Sequence, residues 1–162
     1  MSIFSELGVR EGKDRQNEEF LYNLAACYAL AERRIEQALS PFGLSAVKMN
    51  ALMILKHVGG KDGMPQVDLA RRMIVSAGNV TRLIDRLEKE KLVARVAREG
   101  DRRVKALKIT PKGSELMTRA WPVHQREVDR AVSLMRGKDV KSACAVLNDF
   151  REQLSKTDAQ EA

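Results

Sequence analysis

Residues 66–113 read QVDLARRMIVSAGNVTRLIDRLEKEKLVARVAREGDRRVKALKITPKG, and this stretch decides the fold. Apolar residues recur at helical spacing in residues 66–73 and again in residues 77–91, and the short link between them allows only a tight turn. Two short helices joined in this way form a helix-turn-helix, which needs a scaffold because neither helix is stable alone. The residues predicted to face inward are Val67, Ala70, Met73, Val80, Leu83, Ile84 and Leu87.

A basic hairpin is predicted directly after the second helix. Residues 93–98 and 104–109 favour β-strands, and residues 99–102, Glu-Gly-Asp-Arg, supply the permissive backbone of a turn. Thr110 and Pro111 then suit the N-cap and the first position of another helix. A helix-turn-helix followed by such a hairpin is the layout of a winged helix domain.

The residues before this stretch are predicted to form a lead-in and two helices. Residues 1–17 are polar and are expected to be a flexible arm. Residues 18–39 carry apolar residues at helical spacing, and the proline and glycine that follow them end this helix. Ser45 caps the next helix, which Gly59 ends, and residues 61–65 (KDGMP) form a turn.

Two more helices are predicted after the hairpin. Residues 112–136 carry apolar residues at alternating spacings of four and three, which suits packing against a helix of a partner subunit. Pro122 is expected to kink or split this helix. Residues 138–154 form the last helix, and the polar residues after it are expected to fray. The predicted fold class is therefore mainly α with a small β-hairpin wing: a winged helix-turn-helix domain flanked by dimerisation helices.

The positive charge of the chain is concentrated in its centre. The formal net charge is +7, but residues 71–112 alone hold thirteen Lys and Arg against five Asp and Glu, a local net charge of +8. The rest of the chain is therefore close to neutral. A basic block between near-neutral segments is typical of a nucleic-acid-binding module, although a merely solubilising surface has the same composition.

Composition disfavours several other classes of protein. No run approaches the roughly 18–20 apolar residues of a membrane span, and the polar start of the chain has no apolar core of a signal peptide. Cys27 and Cys144 cannot build a disulfide framework, which fits the cytoplasm. These cysteines and the histidines His57 and His124 are too scattered for a zinc pattern, and no catalytic or cofactor-binding motif is present. We expect a cytoplasmic protein that is not an enzyme, uses no metal or cofactor and does not bind a membrane.

Two motifs resemble those of a known family. Residues 101–113, DRRVKALKITPKG, resemble the wing signature of the MarR family of bacterial transcription regulators, in which Asp-x-Arg, an apolar-Thr pair and a glycine fall at fixed offsets. Residues 79–93, NVTRLIDRLEKEKLV, resemble the recognition helix of that family. On these residues the chain is identified as a member of the MarR family, with residues 1–162 as a single MarR-like domain.

The resemblance implies how the chain is organised. Residues 18–44 and 112–156 would be the dimerisation helices of a homodimer. Residues 45–111 would be the winged helix DNA-binding region, with the helix-turn-helix at residues 66–91 and the wing at residues 93–109. A two-fold symmetric dimer implies that its partner is double-stranded DNA with a palindromic operator.

The DNA contacts are predicted from the recognition helix and the wing. The first residues of such a helix reach base edges in the major groove, where Asn and Arg can make bidentate contacts. The residues predicted to contact DNA are Ser76, Ala77, Gly78, Asn79, Thr81, Arg82 and Arg86 from the helix, and Arg98, Asp101, Arg102, Arg103 and Lys105 from the wing. The resemblance implies that Arg103 enters the minor groove and that Asp101 orients it. The alternatives are an ordinary solvated helix face and a salt bridge that only stabilises the turn.

The resemblance also implies a function, that of a repressor released by a small ligand such as an aromatic carboxylate or a phenol. The ligand would lie in the cleft between the dimerisation and DNA-binding regions. The candidates for the wall of this site are Arg33, Arg34, His57 and Trp121.

Two alternative functions remain open at this point. The first is a peroxide-responsive repressor that senses through Cys27, because residues 27–30 are similar to the cysteine segment of peroxide sensors in the family. Those sensors use tyrosines from the second helix, which this chain lacks, so a buried core cysteine is favoured. The second is a winged helix that binds protein instead of DNA, against which the central charge of +8 argues.

Lys91 departs from the family pattern, which usually has glycine at the end of the recognition helix. If the backbone is left-handed there, lysine costs about 1 kcal/mol relative to glycine. Otherwise the helix continues and the strand boundary near Leu92 changes.

Overall fold

The structure is a computed structural model that describes residues 2–8, 15–73, 77–98, 101–135 and 139–161. The chain divides into two units, Met1–Glu127 and Val128–Ala162. The elements, in chain order, are α1 (Ile3–Glu6), α2 (Gln16–Leu39), a 3-10 turn (Ser40–Phe42), α3 (Ala46–His57), β1 (Met64–Pro65), α4 (Gln66–Arg72), α5 (Ala77–Lys89), β2 (Val93–Arg98), β3 (Asp101–Ile109), α6 (Pro111–Ser133) and α7 (Val140–Glu161). A mainly helical chain with one small antiparallel sheet confirms the predicted fold class.

The core of the first unit is built around α3. Ser45 caps this helix as predicted, because its side-chain oxygen accepts a hydrogen bond of 3.2 Å from the backbone N–H of Lys48. Side chains from the other elements complete the core: Leu39, Leu69, Val80, Ile84, Leu87, Val93, Leu107 and Met117. Fully burying one such side chain contributes roughly 1.5–3 kcal/mol, so tertiary packing stabilises the short helices α4 and α5.

The sheet has the strand order β1-β3-β2, and both pairings are antiparallel. Strand β1 was not predicted, since its residues were expected to form part of a turn. A strand of only two residues is too short to show an alternating pattern, and it forms because Met64 pairs with Leu107. Gly63, before this strand, has φ +76°, and a Cβ there would lie 2.5 Å from the carbonyl oxygen of Leu107. Strand β3 also begins earlier than predicted, at Asp101, because pairing resumes with Arg98 beyond an irregularity at Ala97.

The inward face of α4 differs from the prediction. Val67, expected to point into the core, is 61% exposed, whereas Leu69 is completely buried. Each residue of an α-helix turns the side-chain direction by about 100°, so two residues apart means nearly opposite faces. Leu69 and Met73, four residues apart, share the buried face, and Val67 therefore lies on the outer one.

Both ends of the chain are more helical than expected. Part of the predicted flexible arm forms α1, whose Phe4 is buried and packs edge-on against the ring of Tyr22, with ring centroids 6.0 Å apart. Pro122 does not split α6, which is continuous from Pro111 to Ser133. Pro122 is exposed, so the backbone carbonyl that loses its donor can be hydrated. Helix α7 continues to Glu161 instead of fraying after Leu154.

Helix α2 leaves most of its apolar side chains uncovered within the first unit. Its exposed large residues are Phe20, Leu21, Tyr22, Leu24, Tyr28 and Leu30. Among its residues only Leu39 is buried. In the described ranges no single helix is long and apolar enough to cross a membrane; one bent pair, Gln16–Phe42 with Ala46–His57 at 76°, reaches that length and composition only when taken together.

Candidate nucleic-acid interface and adjoining cleft

Helix α5 has one buried and one solvent-facing side. Val80, Leu83, Ile84 and Leu87 are buried, as the sequence predicted. The opposite side exposes Asn79, Thr81, Arg82 and Arg86, and Lys105 is exposed on β3. Ser76 lies outside the described residues, as do the side chains at Ala77, Gly78, Arg98, Asp101, Arg102 and Arg103. The described members of the predicted set therefore form a polar, basic face on α5.

One arginine ties the hairpin to this helix. Arg95 of β2 donates to Asp85 Oδ1 at 2.7 Å through Nη2, and its Nη1 donates to Glu88 Oε2. The hydrogen bond with Asp85, together with the charges of both carboxylates, raises the pKa of Arg95 above its ordinary value. The base of the hairpin is thus held against α5. The sequence prediction missed this contact, although two acids one turn apart on a helix facing an arginine on the next strand are a readable signal.

The backbone just after α5 is left-handed at Lys91, which has φ +61°. Its carbonyl oxygen accepts a hydrogen bond of 2.7 Å from the Thr110 hydroxyl. The same hydroxyl accepts from the backbone N–H of Gly113 at 3.0 Å, so Thr110 also caps α6 as predicted. A Cβ on Gly113 would lie 2.1 Å from the carbonyl oxygen of Leu92, so the first turn of α6 can approach the segment just after α5 only with glycine there.

A cleft of about 270 Å³ lies beside this region, within the first unit. Its wall is mainly apolar and consists of Tyr28, Ala31, Glu32, Ile35, Ala46, Val47, Met49, Asn50, Met53 and His124. The Tyr28 hydroxyl donates to Glu32 Oε1 at 3.1 Å, and burial together with this carboxylate raises the pKa of Tyr28. Burial lowers the pKa of His124, whose Nδ1 is buried and has no hydrogen-bond partner among the described residues. The cleft therefore offers an apolar space with a few polar atoms in its wall.

The predicted ligand-binding residues lie apart from this wall. Arg33 and Arg34 are exposed on α2, and His57 is exposed at the end of α3. Trp121 is half-buried and stacks on His124, with ring centroids 5.4 Å apart. The residues of α2 that do line the cleft, at positions 28, 31, 32 and 35, follow a helical stripe that the sequence shows.

Cys27 is exposed, so the prediction of a buried core cysteine is wrong for this chain. The lack of second-helix tyrosines, on which that prediction rests, does not determine burial, and most of the apolar stripe of α2 is uncovered in this chain. Within the described part of the chain, no group of three or more His, Cys, Asp and Glu side chains could hold a metal ion.

A helix pair with a polar outer face and an attached antiparallel hairpin defines a winged helix-turn-helix protein. The MarR family model matches residues 44–105, which include the helix pair and β2 and end within β3. The transcriptional regulator MhqR of Bacillus subtilis is 27% identical over 124 residues, covering 76% of this chain and 83% of MhqR. The transcriptional activatory protein BadR of Rhodopseudomonas palustris is 33% identical over 92 residues, 57% of this chain and 53% of BadR. The crystal structure of AbsC, a MarR family transcriptional regulator from Streptomyces coelicolor, superposes with a TM-score of 0.77 at 28% identity, covering 91% of this chain and 99% of AbsC. The chain is therefore similar over most of its length to transcriptional regulators of the MarR family, and these comparisons support a regulator of that kind.

Proposed function

We propose that the protein is a cytoplasmic homodimer that binds a palindromic operator in double-stranded DNA and represses transcription until a small ligand releases it. The observation that carries this proposal is the polar face of α5, fixed to the wing by Arg95. A helix of this kind fits the major groove, and a hairpin attached to it can follow the adjacent backbone or minor groove. The local net charge of +8 supports binding to phosphates.

The proposed roles of the side chains follow from their positions. Asn79 and Arg82, near the start of α5, would read base edges, while Arg86 and Lys105 would contact phosphates. Arg103 would enter the minor groove, oriented by Asp101. The remaining proposed contacts are Ser76, Ala77, Gly78, Thr81, Arg98 and Arg102. The salt dependence of DNA binding tests the phosphate contacts, since the logarithm of the affinity should fall steeply and linearly with the logarithm of salt concentration.

Uncovered apolar side chains support a homodimer. In the first unit they lie on α2, as described above, and in the second unit they include Val146, Leu147 and Leu154 of α7. Residues 18–44 and 112–156 are the proposed dimerisation segments, in a single MarR-like domain. Surfaces of this kind usually mark a protein interface. Light scattering at micromolar concentration should return the dimer mass, and a monomer mass would contradict the proposal.

The cleft is the proposed ligand site, and its wall favours one class of ligand. The lining side chains include no Lys or Arg, and their one carboxylate belongs to Glu32. An aromatic carboxylate would bring a second negative charge into an apolar space near Glu32, which is unfavourable. A neutral phenol could instead donate its hydroxyl proton to Glu32 or to the neutral imidazole of His124. Of the four residues predicted from the sequence to line the site, Trp121 could contribute through its stacking on His124.

Two measurements test release by a ligand. Phenols should raise the melting temperature of the free protein more than matched benzoates, because a ligand that binds the folded state stabilises it by mass action. The same phenols should weaken operator binding roughly 5- to 150-fold, the usual range of a coupling free energy. A phenol that binds without weakening DNA binding would contradict release. Expression from a promoter fusion that carries the operator then distinguishes repression from activation. Activation is the role that the description of BadR gives.

A further inference from the structure

Lys48 lies on the side of α3 that faces away from the cleft. The same helix supplies five residues of the cleft wall: Ala46, Val47, Met49, Asn50 and Met53. Each residue of an α-helix turns the side-chain direction by about 100°, so these five share one side and Lys48 points roughly opposite to them. The Lys48 side chain is only 16% exposed. The first turns of α3 therefore carry the cleft on one side and a largely covered ammonium on the other.

This ammonium is bonded to the end of α5. Lys48 Nζ donates to Glu90 Oε1 at 2.6 Å and to the carbonyl oxygen of Gly43 at 3.2 Å. Glu90 directly follows α5, and its backbone N–H donates to the carbonyl oxygen of Arg86 at 2.9 Å, which closes the last turn of that helix. A charge-assisted hydrogen bond thus joins the helix that lines the cleft to the helix that carries the polar face.

Glu90 has a second attachment that uses only its backbone. Lys112 Nζ, at the start of α6, donates to the Glu90 carbonyl oxygen at 2.9 Å. The hairpin is in turn attached to α5, because Arg95 bonds to Asp85 and Glu88. All of these residues belong to the first unit. A displacement of Glu90 would therefore move the end of α5 and the hairpin together, and the Glu90 carboxylate can be changed without removing its backbone bonds.

We propose that the ion pair of Lys48 with Glu90 carries the effect of a ligand in the cleft to α5. A ligand that fills the cleft contacts the first turns of α3 directly, and a shift of those turns moves Lys48 and Glu90 with them. Both are positioning residues, since neither lines the cleft nor belongs to the proposed DNA contacts. A ligand shifts an equilibrium only by the difference between its affinities for the two conformations, and the ion pair makes the orientation of α5 part of that difference. The inference rests on the proposed function, release by a ligand, and names the contact through which release occurs.

The experiment uses five variants of the full-length protein. Lys48→Met, Glu90→Gln and the double variant remove the ion pair, and Lys48→Arg retains it. Lys56→Met is the matched control, because Lys56 lies at the other end of the same helix and its Nζ donates to Thr118 Oγ1 of α6, at 2.6 Å, instead of to α5. Fluorescence anisotropy gives the affinity for an operator selected from randomised duplexes, with and without 4-ethylphenol. The ratio of these two affinities is the release factor.

Wild type is measured first, and its release factor should lie in the usual range of roughly 5 to 150. A wild type that binds the operator but is not released would contradict the proposed function, and the inference with it. Thermal unfolding of every variant shows that the fold is retained. A rise in melting temperature with 4-ethylphenol shows that the cleft still binds the probe.

Lys48→Met and Glu90→Gln should each lower the release factor by about 2- to 30-fold, down to a limit of no release, while 4-ethylphenol still binds. The double variant should lose no more than either single variant, because each already breaks the same contact. Lys48→Arg and Lys56→Met should keep the release factor of wild type. In hydrogen exchange, 4-ethylphenol should change the protection of residues 86–92 in wild type but not in Lys48→Met.

Any of three results would overturn the proposal. If folded Lys48→Met and Glu90→Gln proteins are released as wild type is, α5 responds through another contact and the pair is only structural. If the double variant loses the product of the two single effects, the two side chains act separately. If Lys56→Met lowers the release factor as much as Lys48→Met does, the effect reflects the charge or stability of α3 and not its link to α5.

Discussion

Lys91 holds a backbone conformation that strains any residue with a Cβ, so replacing it with glycine should stabilise the protein. Among the described residues it is the only non-glycine with positive φ, at +61°. The left-handed conformation costs an L-residue roughly 1–2 kcal/mol. Replacing lysine with glycine removes this cost, but it also makes the unfolded chain more flexible, which offsets part of the stabilisation. We therefore expect Lys91→Gly to raise the free energy of unfolding by about 1 kcal/mol.

The hydrogen bonds at this corner allow a clean comparison, because they use the backbone of residue 91. Its N–H donates to the carbonyl of Glu88 at 2.9 Å, and its carbonyl accepts from Thr110. Glycine keeps both bonds. Lys91→Ala is the matched control, since it removes the same charge but retains the Cβ and hence the strain.

Thermal and urea unfolding at one fixed protein concentration measure the effect, since the stability of the proposed dimer would depend on concentration. A gain of about 1 kcal/mol corresponds to a rise in melting temperature of about 2–4 °C for a chain of this size. Lys91→Ala should lie within about 0.5 kcal/mol of wild type. If Lys91→Gly is no more stable than Lys91→Ala, the left-handed exit of α5 is not strained and the reasoning fails.

Three further predictions follow from the site. Gly113→Ala should destabilise the protein by about 3 kcal/mol or more, because the new Cβ would overlap the carbonyl of Leu92; a melting temperature equal to that of wild type would contradict the close approach. Burial lowers the pKa of His124, so the unfolded state binds its proton more readily, and stability should be complete above pH about 6.5 and decline as the pH falls below it. In urea titrations across that range His124→Gln should remove this decline, whereas a His57→Gln control that removes it equally would refute the assignment. Cys27→Ser should bind the operator and respond to the inducer as wild type does, and a variant that holds DNA under peroxide while wild type dissociates would establish sensing through Cys27 instead.

The sequence predicts the DNA-binding region well where the pattern is strongly periodic. Helix α5 was expected over residues 77–91 and is found at Ala77–Lys89, because its apolar residues leave one possible buried face. The short helix α4 is harder, since two turns contain too few residues to distinguish the stripe through Val67 from the one through Leu69. Strand β1 could not be predicted, because it exists through its pairing with β3 and not through any pattern of its own.

Burial on α2 could not be predicted either, since it depends on what covers the helix. A stripe through Phe20, Leu24 and Cys27 suggests a core face, yet all three are exposed in this chain. The cleft could have been predicted from the sequence, because Tyr28, Glu32 and Ile35 share one face of α2. Arg33 and Arg34, which the sequence analysis names as candidates for the wall, lie outside it on exposed positions of α2.

Selection of bound sequences from a randomised duplex library, on wild type and on Arg82→Ala, tests most directly that α5 is the DNA-reading helix of a symmetric dimer. Wild type should enrich a palindrome whose half-site centres lie about 34–36 Å apart, one helical turn of DNA. Arg82→Ala should enrich the same palindrome with the preference lost at one position in each half-site, at roughly 1–3 kcal/mol per contact, while its affinity for random DNA changes far less. No enriched palindrome with wild type, or the same base preference at every position with Arg82→Ala, would contradict the assignment of α5.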